Sequence, residues 1–301
     1  MRLLLLGDLH YSSISSSSRL DSIEDEFIFR FKDLREKIKK YNIDAIICTG
    51  DIFNSPYQKP ATIISLATEI TNLAVLFITA IGNHDEIGYR LEGWKDTTSL
   101  GLLCRLSPNI ITETITHCKD TDDVVMFSMQ HFTPTVDSKN DEGIYEGYYP
   151  KELKEGTFCL HMVHGYMVDG VLPFPVVNPT DIADTPANFI LAGHYHQPVF
   201  KKIGDKIFYN PGSFANLTYD DKDRICEVGL LDTRTNEFER LPVPYKKGEW
   251  IIKTDTKFKK QDLVLAETIY TTDTLALIKD VAKTKEIQEA TTQRYWEVQD
   301  E

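Results

Sequence analysis

The sequence predicts an α/β fold whose first strands pair in parallel and whose later strands pair antiparallel. Near the N-terminus, short apolar runs alternate with segments of helical periodicity, which is typical of parallel strands joined by right-handed crossovers. Beyond residue 189, the apolar runs are separated only by turns such as Gly204-Asp205 and Asn210-Pro211-Gly212, which indicates antiparallel hairpins. Polar motifs directly follow several of the predicted strands, so ligands are expected at one end of the sheet.

The N-terminal elements follow from apolar spacing and from helix-end signals. Strands are predicted at 3–6, 45–48 and 75–81, with helices between them. In the first helix, Ile23, Phe27, Phe31, Leu34 and Ile38 form one stripe at helical spacing. Asp21 or Ser22 is expected to cap this helix, and Asn42 is expected to end it. The second helix is predicted near 62–71.

The later part of the chain predicts further strands and a change of unit. These strands are predicted at 158–163, 189–191, 199–203, 207–209, 226–231 and 237–241. Residues 168–186 contain four prolines and indicate a long ordered loop, a kind of segment that often forms a lid. Beyond Pro244 we expect strands near 249–254 and 263–269 and a helix from about 274. The predicted domains are therefore a catalytic domain, 1–244, and a small α+β cap-like appendage, 245–301.

Five motifs with metal-ligand side chains occur in order along the first 213 residues. They read Gly7-Asp8-Leu9-His10, Gly50-Asp51, Gly82-Asn83-His84-Asp85, His164-Gly165 and Gly193-His194-Tyr195-His196. A set of carboxylates, one amide oxygen and several imidazoles, with no thiolate, suits Mn²⁺, Fe or Zn²⁺. A single histidine is more often structural, but five ordered motifs predict a two-metal hydrolase.

The order of these motifs resembles that of the calcineurin-like metallophosphoesterase superfamily, over roughly residues 1–215. The resemblance implies two packed mixed β-sheets flanked by helices, and two divalent cations, with Mn²⁺ favoured over Fe or Zn²⁺. It implies that Asp51 bridges the cations. The other implied metal ligands are Asp8, His10 and His196 for one cation and Asn83, His164 and His194 for the other. A water held between the cations would attack phosphorus, and His84 would be the catalytic side chain that assists the leaving oxygen.

Residues 19–60 are most similar to the SbcD and MRE-type DNA-repair nucleases of this superfamily. The similarity rests on Arg19, Asp25, Phe27 and Phe31, and on the later segments Ile43-Asp44-Ala45-Ile46 and Gly50-Asp51-Ile52-Phe53. It implies a Mn-dependent DNA exo- or endonuclease of repair or recombination. The alternative is a small-molecule phosphodiesterase or phosphatase that acts on nucleotides or cyclic nucleotides with the same fold. The intact ligand set disfavours a non-catalytic scaffold.

The C-terminal part of the chain, from residue 245, indicates which partners the protein could bind. Residues 245–260 carry six lysines against Glu249 and Asp255, with Tyr245, Trp250 and Phe258 interleaved. Such a segment can track a nucleic-acid backbone and stack bases, although a solvated face of a small β unit is an open alternative. DNA is the expected partner. The appendage is too short for both a full cap and the helical arm of the nucleases, so an ATPase partner of the SbcC/Rad type and a homodimer are left open.

The composition limits the class of protein and its location in the cell. The net charge of −13 argues against a simple basic DNA-binding module, but bound cations invert the potential locally and leave a nucleic-acid enzyme open. The five cysteines show no paired spacing, and no apolar run approaches the roughly 18 residues that a membrane span requires. We therefore expect reduced thiols, a cytoplasmic location and no membrane association.

Asp85 and three further histidines are not among the predicted metal ligands. Asp85 is expected to cap the following helix rather than to orient His84. His161, His117 and His131 match none of the five motifs. His161 is expected to lie on a different face of its strand from His164 and to be structural.

Overall fold

Two six-stranded β-sheets form the framework of the protein. The computed structural model describes residues 1–16, 18–118, 124–153, 155–245 and 250, all within one compact unit, Met1–Ile251. In the first sheet, parallel strands β1 (Arg2–Leu6), β2 (Ala45–Cys48), β3 (Leu76–Thr79) and β4 (Ile110–Ile111) lie side by side. Antiparallel strands β11 (Glu227–Asp232) and β12 (Glu237–Pro242) extend the sheet beyond β1.

The second sheet is also mixed. Its strands are β5 (Ile115–Cys118), β6 (Val124–Gln130), β7 (Phe158–His164), β8 (Phe189–Gly193), β9 (Val199–Ile203) and β10 (Lys206–Asn210). They lie in the order β5-β6-β7-β8-β10-β9, in which β6, β7, β8 and β10 are parallel and the two edge strands are antiparallel. Parallel pairing brings the carboxyl ends of β7 and β8 to one edge of this sheet.

Helices α1 (Ile23–Tyr41), α2 (Pro60–Leu73), α3 (Trp94–Thr97) and α4 (Ser99–Leu106) accompany the first sheet. The Ser22 hydroxyl caps α1 by accepting a hydrogen bond from the Asp25 amide, 3.2 Å away. Asn42 ends the helix in the left-handed conformation, with φ of 52°. Both ends of α1 are therefore as the sequence predicts.

The apolar runs of the strands are buried on both faces. In β1, Leu3 and Leu5 pack between the two sheets, whereas Leu4 and Leu6 pack in the core that includes apolar side chains of α1, α2 and α4. Because successive side chains point to opposite faces of a strand, a run of four leucines is what a strand covered on both sides requires. The predicted α/β architecture, two packed mixed sheets flanked by helices, is confirmed.

The structure corrects part of the predicted topology. The strands after residue 189 are not all antiparallel, because β10 pairs in parallel with β8 and the β9–β10 hairpin places β9 at the edge. The sequence reasoning also missed the two helices α3 and α4 and the three strands β4, β5 and β6. The domain boundary at 244/245 stays a prediction, since the elements predicted at 249–254, at 263–269 and from 274 lie almost entirely outside the described residues. None of the helices in the described part of the chain is both long and apolar enough to cross a membrane.

Candidate metal centre

The eight side chains predicted for the site lie at the carboxyl ends of five parallel strands. Asp8 and His10 follow β1, and Asp51 follows β2. The remaining residues come from three other strands: Asn83 and His84 lie in a 3₁₀ turn after β3, His164 ends β7, and His194 and His196 follow β8. The structure therefore brings residues from both sheets to one edge of the sandwich, where parallel strands place their ligands.

Three overlapping groups of side chains in this cluster could each hold a metal ion. They are Asp8 with His10 and His196, His10 with Asp51 and His84, and Asp51 with His164 and His194, and in each the ligand atoms lie within 4.8 Å of one another. Asn83 joins the last group, since its Oδ1 lies 3.1 Å from His164 Nε2. Asp51 is shared between a group on each side, which is the position of a bridging ligand.

The contacts of His164 fit a bound cation. Its Nδ1 lies 3.0 Å from the Thr49 carbonyl oxygen and donates to it, so in the neutral ring Nε2 carries a lone pair. That nitrogen faces the Asp51 carboxylate at 3.4 Å and the Asn83 amide oxygen at 3.1 Å. Three lone pairs directed at one another need a positive charge between them, which a bound divalent cation would supply. Without a cation a proton supplies it: burial opposes protonation of His164, but the nearby Asp51 and Asp8 charges outweigh burial and raise the His164 pKa to about 10. Buried His10 Nδ1 also lacks a hydrogen-bond partner among the described residues.

The charges of the cluster are strongly coupled through burial. Burial opposes ionisation of Asp51, yet the attraction of His164 and His10 outweighs it and holds the Asp51 pKa well below its usual range. Burial and the nearby Asp51 charge raise the pKa of Asp8. Burial lowers the pKa of His194 to about 3 and keeps its ring neutral, as a metal ligand must be.

Backbone strain accompanies the motifs. His10, Asp51 and His194 have φ values of 47°, 45° and 72°, in the left-handed region that only a few per cent of non-glycine residues adopt, although aspartate, asparagine and histidine adopt it more often than the others. Such outliers persist where surrounding contacts fix the backbone, and they cluster at functional sites. The glycine before His194 is also needed, because a Cβ at Gly193 would lie 2.4 Å from Asp8 Oδ1.

Hydrogen bonds from residues outside the predicted set hold the cluster in place. The Thr49 hydroxyl donates to Asp8 Oδ1 at 2.7 Å, in addition to the bond between its carbonyl and His164. The Asn54 carbonyl oxygen accepts from His84 Nδ1 at 3.0 Å and leaves Nε2 of that ring for a substrate. Sequence reasoning missed Thr49 and Asn54, and only their positions next to Asp51 could have suggested them.

Asp85 does not cap the next helix, so that prediction is wrong. Its buried carboxylate accepts hydrogen bonds from the amides of Ile52, Phe53 and Gly82 at 3.0–3.2 Å. It therefore joins the loop that carries Asp51 to the turn that carries Asn83 and His84. The next helix, α3, begins after Gly93 and has no side-chain hydrogen bond at its N-cap.

His161 has the structural role expected of it, and His131, which matches no motif, bonds to the backbone. His161 Nε2 donates to the Gly147 carbonyl oxygen at 2.9 Å, and its Nδ1 pairs with the Ser128 hydroxyl at 3.0 Å. His131 Nδ1 accepts from the Ile81 amide at 3.1 Å. The side chain of His117 lies outside the described residues.

Of the residues that resemble those of the nucleases, Arg19, which precedes α1, contacts the loop that follows β10. Arg19 is buried, pairs with Asp21 through two hydrogen bonds of 2.8 Å and donates to the Asn216 carbonyl oxygen. Phe27 and Phe31 are buried around Tyr11. These residues pack the domain rather than face a substrate.

Only two residues of the basic segment 245–260 are described. The backbone of Trp250 pairs with that of Arg19, and its ring lies 5.1 Å from the Arg19 guanidinium carbon. Trp250, one of the three aromatic residues expected to stack bases, therefore contacts Arg19. The six lysines of the segment lie outside the described residues.

Comparisons with known proteins agree with this geometry. A model of the calcineurin-like phosphoesterase superfamily domain matches residues 1–236. No curated protein sequence matches the chain. A putative 5′-nucleotidase from Staphylococcus aureus is similar in structure, with a TM-score of 0.51 and 14% identity over 89% of this chain and 57% of that one. A novel archaeal phosphodiesterase is 16% identical over 80% of this chain and 99% of that one, with a TM-score of 0.41. With most of its length matched by the family model, the chain belongs to the calcineurin-like phosphoesterase superfamily.

Proposed function

We propose that this phosphoesterase is a two-metal phosphodiester hydrolase that cuts DNA as a Mn-dependent exo- or endonuclease. The observation that carries the two-metal part is the shared position of Asp51, with His10 on one side and His164 and His194 on the other. The proposed ligands are Asp8, His10, Asp51, Asn83, His164, His194 and His196, and the proposed catalytic side chain is His84.

Two divalent cations at this site would neutralise the phosphate and lower the pKa of a water held between them. Asp51 supplies the negative charge that two neighbouring cations need, because its low pKa keeps it ionised at neutral pH. The Asn54 carbonyl oxygen accepts from Nδ1 of His84, so Nε2 is the nitrogen left for the substrate, and in the imidazolium form of the ring it donates to the phosphate or to the leaving oxygen. The Asp51 carboxylate in turn accepts from the His84 amide at 2.9 Å, which couples the position of His84 to the ligand set.

The choice of DNA rests on the sequence similarity of residues 19–60 to the SbcD and MRE-type nucleases and on the basic segment 245–260. A small-molecule phosphodiesterase or phosphatase is the second candidate. One observation favours it: Arg19, Phe27 and Phe31, which carry much of the similarity, are buried packing residues that an enzyme of another specificity could share. Manganese and a cytoplasmic location belong to the same proposal.

Hydrolysis of three substrates with added Mn²⁺ tests the proposal. We expect cleavage of single- or double-stranded DNA and of bis-(p-nitrophenyl) phosphate, and loss of both activities in His164→Ala. His161→Gln is the matched control, because His161 lies on the same strand, is also buried, and contacts Ser128 and Gly147 instead of the cluster. A cyclic nucleotide assayed in parallel tests the second candidate, which is correct if the protein hydrolyses that nucleotide but not DNA. If it hydrolyses no phosphoester with any divalent cation, the proposed function is wrong.

Replacement of lysines in the basic segment tests the DNA surface separately. Substituting Lys257, Lys259 and Lys260 with glutamine should weaken DNA binding and reduce the log–log salt slope by roughly one for each lost phosphate contact. Hydrolysis of bis-(p-nitrophenyl) phosphate, which does not need an extended surface, reports on the metal centre in the same variant. Unchanged DNA cleavage at every salt concentration would identify the segment as a solvated face.

A further inference from the structure

A continuous row of five rings, the aromatic wall, borders the metal centre. It runs through Tyr89, Phe132, His194, Tyr166 and Phe174, with neighbouring ring centroids 5.6, 5.3, 4.0 and 4.9 Å apart. The middle ring belongs to a proposed metal ligand. The two end rings are exposed, Tyr89 by 58% and Phe174 by 44%. Large apolar side chains at both ends of a row that contacts the metal centre call for an explanation.

Tyr89 is held at the tip of a tight turn. The backbone of Ile87 pairs antiparallel with that of Arg90, and the two residues between them, Gly88 and Tyr89, have φ values of 61° and 56°. This is the left-handed geometry of a type I′ turn, which asparagine and glycine normally occupy. An aromatic residue at such a position is strained, and its contact with Phe132 fixes the direction of the ring.

Phe174 is presented by a loop whose base is closed by hydrogen bonds. The amide of Val168 donates to the Val177 carbonyl oxygen at 3.0 Å, and that of Val177 donates to the Tyr166 carbonyl oxygen at 2.9 Å. Pro173 and Pro175 flank Phe174 and restrict its backbone. The loop begins directly after His164 and packs Phe174 on Tyr166. The exposed ring of Phe174 is therefore linked to the metal centre both through the chain and through the contact with Tyr166.

We propose that the aromatic wall binds a nucleobase of the substrate while the phosphate of the same nucleotide lies at the metal centre. This inference rests on the proposed phosphodiester hydrolysis and adds the nucleoside as the group recognised next to the reacting phosphate. The wall includes His194, a proposed metal ligand, and its other rings lie on both sides of His194, so a group that stacks on the wall is one joined to the phosphate by a short linker. The exposed rings of Tyr89 and Phe174 suit a planar base, and stacking is tolerant of sequence because every base has a π face.

A pair of esters with the same leaving group isolates the contribution of the base. Thymidine 5′-(p-nitrophenyl phosphate) carries a nucleoside, and methyl p-nitrophenyl phosphate does not. We expect the parent protein with Mn²⁺ to prefer the thymidine ester in kcat/KM. Tyr89→Ala and Phe174→Ala should each lower that preference at least about fivefold, mainly through KM, which corresponds to the lower end of ~1–3 kcal/mol per stacked base.

Conservative and distant variants control for folding. Tyr89→Phe and Phe174→Tyr keep a ring at each position and should retain the preference for the thymidine ester. Phe200→Ala is the matched control outside the wall, since Phe200 is 42% exposed and stacks on Phe238 instead. If the ring-keeping variants lose the preference as the alanine variants do, the wall does not act by stacking and the inference is wrong.

The outcomes separate this inference from the proposed function. If the parent hydrolyses both esters equally well, the phosphodiesterase stands and the wall does not bind a base. If the parent hydrolyses neither ester, the proposed function fails. Calorimetry then tests separately whether the wall binds a base. Thymidine 5′-monophosphate should bind the Mn-loaded protein more tightly than methyl phosphate, and Tyr89→Ala should remove the difference. Equal binding of the two phosphates would overturn the inference.

Discussion

Removal of the Asp85 carboxylate is expected to loosen the metal centre without touching any proposed ligand. The carboxylate accepts from three buried backbone amides, those of Ile52, Phe53 and Gly82. A buried donor left without a partner costs about 1–3 kcal/mol. Asp85→Ala leaves three such donors, so it should lower the free energy of unfolding by at least about 3 kcal/mol.

Asp85→Asn should have a smaller effect, for a reason visible in the same contacts. One oxygen of the carboxylate accepts from Ile52 and Phe53, whereas the other accepts from Ile52 and Gly82. An amide keeps the first oxygen and loses the bond to Gly82, which predicts a cost of about 1–3 kcal/mol. Part of this cost is offset. Burial and the Asp51 charge raise the pKa of Asp85 to about 7, and an amide, which carries no charge, removes the repulsion between Asp85 and Asp51.

Urea unfolding of the metal-free protein and titration with Mn²⁺ measure the two consequences. Groups that hold metal ligands in place typically change metal affinity 10- to 100-fold when they are replaced, and we expect a loss of this size for Asp85→Ala. Asp96→Ala is the matched control, because the Asp96 side chain is 75% exposed and, among the residues that the structure describes, forms its ion pair with Arg105 at the surface. An Asp85→Ala variant with the stability and Mn²⁺ affinity of the parent would refute the reasoning.

Two further predictions concern the catalytic histidine and a structural one. His84→Ala should keep both metals but lose about 10²–10³ in turnover, whereas Asp51→Asn should lose metal; equal metal loss, measured by elemental analysis, would make His84 a ligand. Burial lowers the pKa of His161 to about 4, below the ~6.5 of an unfolded chain, so its stabilising contribution is complete above pH 6.5 and is lost as the pH falls to 4. Urea unfolding between pH 7 and pH 4 should show a shallower acid loss in His161→Gln, by at most on the order of 3 kcal/mol; an unchanged slope would contradict this.

The parts of the fold that follow from local signals were predictable. The cap at Ser22, the end of α1 at Asn42 and the leucine run of β1 are each encoded within a few residues. The pairing of β10 with β8 was not, because it depends on the β9–β10 hairpin lying at the sheet edge rather than between them. Strand order is a long-range property, and turn residues specify only the hairpin itself.

In the candidate site, too, the residues with local signals were predictable and the long-range contacts were not. The five motifs identify every side chain in the cluster, because each one stands directly after a strand. The hydrogen bonds by which Asp85 holds the Asp51 loop in place were missed. Asp85 contacts residues 32–33 positions earlier in the chain, and the residues next to Asp85 in the sequence give no signal of that contact. The aromatic wall likewise joins residues from separate loops, Tyr89, Phe132, Tyr166 and Phe174 among them. No local periodicity encodes such contacts.

We infer that a pair of cations shares Asp51. Crystals of the Mn²⁺-loaded protein, measured for anomalous scattering of manganese, test this inference. We expect two peaks about 3.5–4 Å apart, with the Asp51 carboxylate between them, the Asp8 side on one peak and the His194 side on the other. A single peak, or two peaks bridged by a residue other than Asp51, would contradict it.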